Sequence, residues 1–368
     1  MSAVLPDYAE LHCVSNFSFL RGASHPEELV ARAAALGYAA LAITDECSLA
    51  GVVRAHVAAK EHKLKLLIGA GFRLEGGPQI VLLATDRNAY GNLSQLITTA
   101  RRRSAKGHYR LEWDDLASAI GCLAIQIPAL TWSDDDANDT ACVAPAGPQT
   151  AVRHATREPS AVYASAAPEK AWAGELAHAQ RLREIFAGRL WIAAELLCGA
   201  DDRGRLLYVQ QLAAAAHLPL VAAGDVHMHL RSRRPLQDTL TAIRLGVPVA
   251  DAQHALFPNA ERHLRMRMRL AQLYPPALLA ETLHIAGRCD FSLDCLRYEY
   301  PEELVPAGHT AASYLSELTV EGLQRRYPGG TPPQVGVLIA RELALIEELR
   351  YEPYFLTVQD ITVRKYGS

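Results

Sequence analysis

Short apolar runs alternate with amphipathic stretches along the first part of this chain, and few folds accept that rhythm. Tyr8–Cys13 reads as a strand. Ser24-His25-Pro26-Glu27 reads as a capping box with proline in the first turn, opening a helix that Gly37 stops. Ala39–Thr44 predicts a second strand, Leu49–His62 a second helix, Leu64–Ile68 a third strand and Gln79–Ala84 a fourth. Asn88–Ala100 follows as a helix with Leu93, Leu96 and Ile97 at helical spacing. Cys122–Ile127, Leu190–Glu195 and Leu218–Ala223 complete the strands, with helices predicted over Ala171–Phe186 and Arg203–Ala216. Strand-helix repetition at this spacing predicts a parallel α/β sheet or barrel rather than an all-β or all-α fold.

Two stretches break the alternation. Thr131–Pro168 is rich in Ala, Asp, Thr, Ser and Pro without periodicity, and reads as a mobile insertion or surface loop. From Arg233 onward the pattern is helical: Pro235–Leu245, Asn259–Leu273, Pro276–Cys289, Ala311–Arg326 and Pro333–Leu349. A boundary near Arg231–Leu236 therefore divides the chain into residues 1–232 and 233–368. At 368 residues the chain is long enough for one large domain and part of another. No apolar run reaches the roughly 18 residues of a membrane span, and the N-terminus lacks a signal-peptide layout, so the expectation is a cytoplasmic protein. Seven scattered cysteines without a CxxC pair argue against a disulfide framework and a zinc finger. A net charge of −3 gives no global attraction to nucleic acid. Local basic clusters exist at Arg101–Arg103 with Lys106, at Arg231, Arg233 and Arg234, and at Arg262, Arg265 and Arg269. The last three are spaced to share one helix face, either merely solvated or tracking phosphates.

His12, Asp45, Asp225 and His227 each follow an apolar, strand-like run. In a barrel, residues just past the strand ends share one face, where imidazole and carboxylate ligands hold divalent metals that activate water. A cage of two or three ions needs His-x-His after the first strand, Asp-His after the second and an acid after the third. This chain offers His12-Cys13-Val14, Asp45-Glu46 and Gly69-Ala70-Gly71. Valine and glycine side chains cannot ligate, and Arg21 brings a repelling charge. What survives is a single vestigial site of His12, Asp45, Asp225 and His227, able to take residual Zn or Mn, with Glu46 or His108 as extra candidates. The competing structural readings are Asp45 as a helix cap, Asp225 as a turn residue and the histidines as core. His229 in His227-Met228-His229 reads as a bystander. There is no Walker A loop, no GxGxxG opening a helix and no Gly-x-Ser-x-Gly elbow.

The segments LHCVSNFSFLRGAS (Leu11–Ser24), ALGYAALAITDECSLAG (Ala35–Gly51) and LPLVAAGDVHMHLRSRRPLQDTLTAIR (Leu218–Arg244) resemble the N-terminal PHP (polymerase and histidinol phosphatase) domain of bacterial C-family DNA polymerases, in their error-prone branch. The resemblance implies a distorted (β/α)7 barrel followed by a mostly helical segment, with Arg350–Ile361 entering the polymerase palm. It implies DNA-directed DNA synthesis (a nucleotidyltransferase) in damage-induced mutagenesis and translesion repair. DNA is the implied partner, with mutagenesis accessory proteins and the sliding clamp, and no membrane. Departures from members with a full metal site fall at Val14, Arg21, Glu46, Gly71 and Pro128, so the expectation is a structural PHP domain. The family's Gly-Arg-Gly-Ser loop and catalytic Asp-x-Asp pair, where Mg would act, come after the region where this chain ends. The chain alone is therefore expected to be a truncated front portion without polymerase activity. The alternative is a stand-alone metal-dependent PHP phosphoesterase.

Overall fold

Seven strands lie in one sheet in strict chain order, β1 to β7: Ala9–Glu10, Ala40–Ile43, Lys65–Arg73, Gln79–Leu83, Leu123–Ile127, Leu190–Glu195 and Leu220–Ala223. They belong to a computed structural model that describes residues 5–129, 167–296 and 305–366. The expected insertion over Thr131–Pro168 lies outside the described residues except for its last two. Helices α1 (Pro26–Ala35), α2 (Val52–His62), α3 (Arg87–Arg102), α4 (Ala167–Ile185) and α5 (Asp202–Ala216) fall between the strands. Local chemistry sets their ends. Asp86 accepts from Ala89 N at 2.8 Å to start α3, and Gly37 at φ +70° terminates the turn after α1. The box at α1 differs from expectation: His25 N donates to Glu28, whereas Ser24 Oγ is engaged with His229.

The sheet is not all parallel. β1/β2, β2/β3, β5/β6 and β6/β7 pair in parallel, but β3/β4 and β4/β5 are antiparallel. Closure comes where β1 meets β7. Cys13 and Val226 form a parallel bridge, with Val14 N donating to Val226 O at 2.7 Å and Val226 N to His12 O at 2.9 Å. A side chain extends the seam: Glu10 Oε1 accepts from Gly224 N at 2.9 Å, and Glu10 Oε2 from Tyr8 OH at 2.8 Å. Inside the barrel, alternate strand residues such as Ala42, Leu67, Val81, Ile125, Ala193 and Val221 form a buried core.

The helical stretch after β7 divides. α6 (Arg234–Leu245), α7 (Arg267–Leu273) and α8 (Pro276–Gly287) belong to the same compact unit as the strands, which runs to Cys295. α8 closes one end of the barrel: Ile285 and Ala286 join the inner core, Ala9 N donates to Thr282 and Trp191 Nε1 to Glu281. That unit thus extends beyond the division expected near Arg231–Leu236, because α8 finds its apolar partners on the strands. The second unit holds α9 (Ala311–Arg326), α10 (Pro333–Leu349) and α11 (Glu352–Tyr366). Arg350–Ile361, expected to enter a palm, is mostly within α11. The helix expected over Asn259–Leu273 exists only from Arg267, because Met228 pairs with His263 and both His227 N and Met228 N donate to Arg262 O. Arg262, Arg265 and Arg269 therefore do not share a helix face.

Candidate functional site

The strands β1, β6 and β7 deliver four side chains to one rim. His12 Nδ1 donates to Glu195 Oε1 at 2.8 Å and lies 3.8 Å from Asp225 Oδ1. His227 Nε2 is 3.0 Å from the same Asp225 oxygen, and its Nδ1 donates to the Arg21 carbonyl at 3.0 Å. Asp225 adopts φ +44°, a left-handed conformation that aspartate tolerates better than most residues and that follows Gly224 at the end of β7. Ligand atoms of His12, Glu195 and Asp225 all lie within 4.8 Å of one another.

Asp45 has other work. Its Oδ1 accepts from Ser15 N and Ser18 Oγ, each at 2.8 Å, and its Oδ2 from Ser15 Oγ at 2.7 Å. It ties the loop after β1 to the end of β2. Burial pushes its carboxyl pKa up, against the opposing effect of those bonds. Of the two extra candidates, Glu46 is ion-paired with Arg21 at 2.5 Å, and His108 offers its carbonyl to Arg101. Arg21 thus neutralises an acid. Val14 is buried, and a side-chain carbon at Gly71 would come within 3.3 Å of the Thr44 carbonyl.

Two residues that complete the rim were missed in the sequence. Glu195 carried the same signal as Asp45 and Asp225, an acid at the end of an apolar run, but read only as the close of a strand. Arg262 gave no signal, because its spacing to Arg265 and Arg269 mimics a helix face. Its guanidinium pairs with Asp225 Oδ2 and stacks 4.2 Å over the Phe257 ring. Arg205 reaches Glu195 at 3.8 Å. Burial alone would raise the Glu195 pKa, but the hydrogen bond from His12 and the charges of His12, Arg205 and Arg262 more than reverse it, holding the carboxyl below its ordinary range. Burial depresses the His227 pKa to about 4, against the raising effect of its bond to the Arg21 carbonyl.

This rim does not fit the multi-ion cage that such barrels use for phosphoester hydrolysis. Both of its acids already face guanidinium groups, Asp45 is committed to serines, and positions 14 and 71 lack donors. It forms a closed polar network that pins three strand ends.

Most arginines of the other basic clusters are paired too. Arg101 donates to the Glu46 and Cys47 carbonyls, Arg103 pairs with Asp115, Arg231 with Glu261, Arg233 with Glu28 and Arg234 with Asp238. Arg265 is buried against the Leu196 carbonyl. Among the described residues no helix is long and apolar enough to cross a membrane.

Residues 10–134 match the PHP domain family, and residues 313–365 match the bacterial DNA polymerase III alpha NTPase domain family. The chain therefore carries a PHP domain, on a seven-stranded, nearly closed α/β barrel. Over nearly its whole length it is a relative of bacterial error-prone DNA polymerases. It is 53% identical to the error-prone DNA polymerase of Dechloromonas aromatica over 97% of this chain and 31% of that protein. It is 52% identical to that of Pseudomonas aeruginosa over 98% of this chain and 31% of that one. The chain thus spans about a third of the length of these relatives. Among solved structures, an amidohydrolase from Chromobacterium violaceum is 17% identical with a TM-score of 0.36, covering 60% of this chain and 87% of that one.

Proposed function

We propose that these residues form the front portion of an error-prone DNA-directed DNA polymerase, with the PHP barrel serving as scaffold rather than hydrolase. Residues 1–232 are assigned to the PHP domain and 233–368 to the beginning of the polymerase body. The observation that carries the scaffold role is the pairing of Arg262 with Asp225, with Arg205 beside Glu195: cations of the chain itself face both acids at the rim. The polymerase assignment is supported by identity above half across nearly the whole chain. On this reading the whole protein extends primers on damaged DNA in the bacterial cytoplasm, in company with mutagenesis accessory proteins and the sliding clamp. Synthesis needs carboxylates that hold two Mg ions on the primer end and the triphosphate. We assign those carboxylates to no residue of these 368. Primer extension by the purified chain, freed of host polymerases, is expected to give no product. Templated incorporation by the chain alone would sink this reading.

The runner-up is a stand-alone metal-dependent phosphoesterase, which the convergence of His12, Glu195 and Asp225 favours. Two or more tightly bound Zn or Mn ions per chain, with phosphodiester hydrolysis lost in Asp225→Ala, would establish it. A metal-free, inert preparation disposes of it.

A further inference from the structure

We infer that the Arg262 guanidinium is the resident cation beside the His12, Glu195 and Asp225 site, taking the second oxygen of Asp225 and closing the rim to metals by its charge. This rests on reading the barrel as a scaffold. The donors are arranged as for an ion: one imidazole and two carboxylates converge, with His227 beside them. Asp225 divides its oxygens accordingly. Oδ1 faces His12 and His227, and Oδ2 takes Arg262. The guanidinium is held from three directions. Its own carbonyl accepts from both His227 N and Met228 N, at 3.0 and 3.1 Å, so the loop is registered against the strand that supplies Asp225. Its central carbon sits over the Phe257 ring, which also meets His227 in a T-shaped contact at a centroid distance of 5.1 Å. Its charge reaches Glu195 as well. A second cation entering this space would meet a fixed like charge at short range, where repulsion is strong. Removing that charge leaves two carboxylates and two imidazoles, a donor set that suits Mn or Zn.

The experiment uses the full chain and Mn2+, which thiols compete for poorly. Arg262→Met and Arg262→Lys are titrated with Mn2+ by calorimetry beside the unmodified chain, and the melting temperature of each is followed with and without the ion. Arg262→Met is expected to bind one Mn2+ at least about tenfold more tightly than the unmodified chain, a difference of one decade in Kd. Its Tm should rise on adding the ion, and adding Asp225→Asn should abolish both effects. Arg262→Lys, which keeps the charge, should behave as the unmodified chain does. Should Arg262→Met not fold alone, Mn2+ present during refolding is expected to restore it. Folded Arg262→Met that takes up no Mn2+, or an unfolded one that the ion fails to rescue, overturns the inference. So does equal, Asp225-dependent binding by the unmodified chain. Failure of the scaffold reading shows elsewhere, as phosphodiester hydrolysis by the unmodified chain.

Discussion

At the scale of the residue, the rim shows how buried acids and imidazoles at strand ends are held by cations of the chain itself. A carboxylate is costly to leave unpaired in a buried place, so each acid of the rim calls for a cation or a hydrogen-bond donor. Glu195 tests this energetically. Its carboxyl is held below the ordinary carboxylate range by His12, Arg205 and Arg262 despite burial. A depressed acid contributes stability that is fully present above its unfolded pKa, about 4.3, and is lost as pH falls through the folded value. Glu195→Gln should therefore cost on the order of 3–5 kcal/mol at pH 7, the usual loss on breaking one side of a buried pair. That difference should shrink steadily below about pH 4. Urea melts of both proteins at pH 7 and 3.5 check it, and a gap that is constant with pH would contradict the assignment. Part of this site was legible and part was not. His12, Asp225 and His227 stand together as the strand-end rule expects. Asp45 obeys the same rule, yet two serines of the preceding loop claim both of its oxygens, and no spacing pattern reports a hydroxyl several residues away in the fold.

At the scale of the element, strand and helix positions followed their apolar runs closely. Leu190–Glu195, Ala311–Arg326 and Pro333–Leu349 have the expected ends. Strand direction was the weaker inference. Five residues separate β3 from β4, and Gly76, Gly77 and Pro78 fold them into a tight turn in which Gly77 N donates to Leu74 O at 3.1 Å. A parallel crossover needs about a dozen residues or more, so this link can only be a hairpin. The reversal was hidden because Gly69-Ala70-Gly71 falls after the strand expected over Leu64–Ile68, whereas it is the middle of β3. Gly69 is there because a side-chain carbon would lie 2.4 Å from the Leu82 carbonyl on the neighbouring strand. Gly224 plays a matching part at the seam, where an added carbon would meet Glu10 Oε2 at 2.3 Å. Gly224→Ala is expected to destabilise the fold by about 1–3 kcal/mol, the common cost of overpacking a tight site. Chemical denaturation of that variant gives the number, and a neutral result would mean that Glu10 does not clasp the two edge strands.

At the scale of the whole molecule, the compact unit through Cys295 and the helical unit after it differ in how they bury apolar surface. The first has a closed interior. In the second, α10 has no buried residue, and Val337, Leu338 and Leu349 are each more than half exposed. Leu343 and Ile346 of the same helix are half-buried. Because the rim is satisfied by arginines, exhaustive dialysis against a chelator should leave the melting temperature unchanged to within about 1 °C, far less than the shift that loss of a tightly bound ion brings. A fall of several degrees would point to a bound ion that contributes to folding.

The Glu10 clasp and the α8 plug carry a consequence for how the chain is made. Glu10 meets Gly224 across 214 residues, and Ala9 meets Thr282 across 273. The first strand therefore leaves the ribosome long before either partner exists. At ~5–20 residues per second, roughly 14–55 s pass between the emergence of Ala9 and that of Thr282. Until Val226 emerges to pair with Cys13, one edge of a half-built sheet stays open, with buried-to-be Tyr8, Leu11 and Cys13 beside it, and the barrel end stays unplugged until Thr282 follows. An unpaired edge of that kind is a template for wrong pairing. Nascent chains of this protein should accordingly lean on chaperones until about residue 282 has been synthesised, and become independent of them soon after.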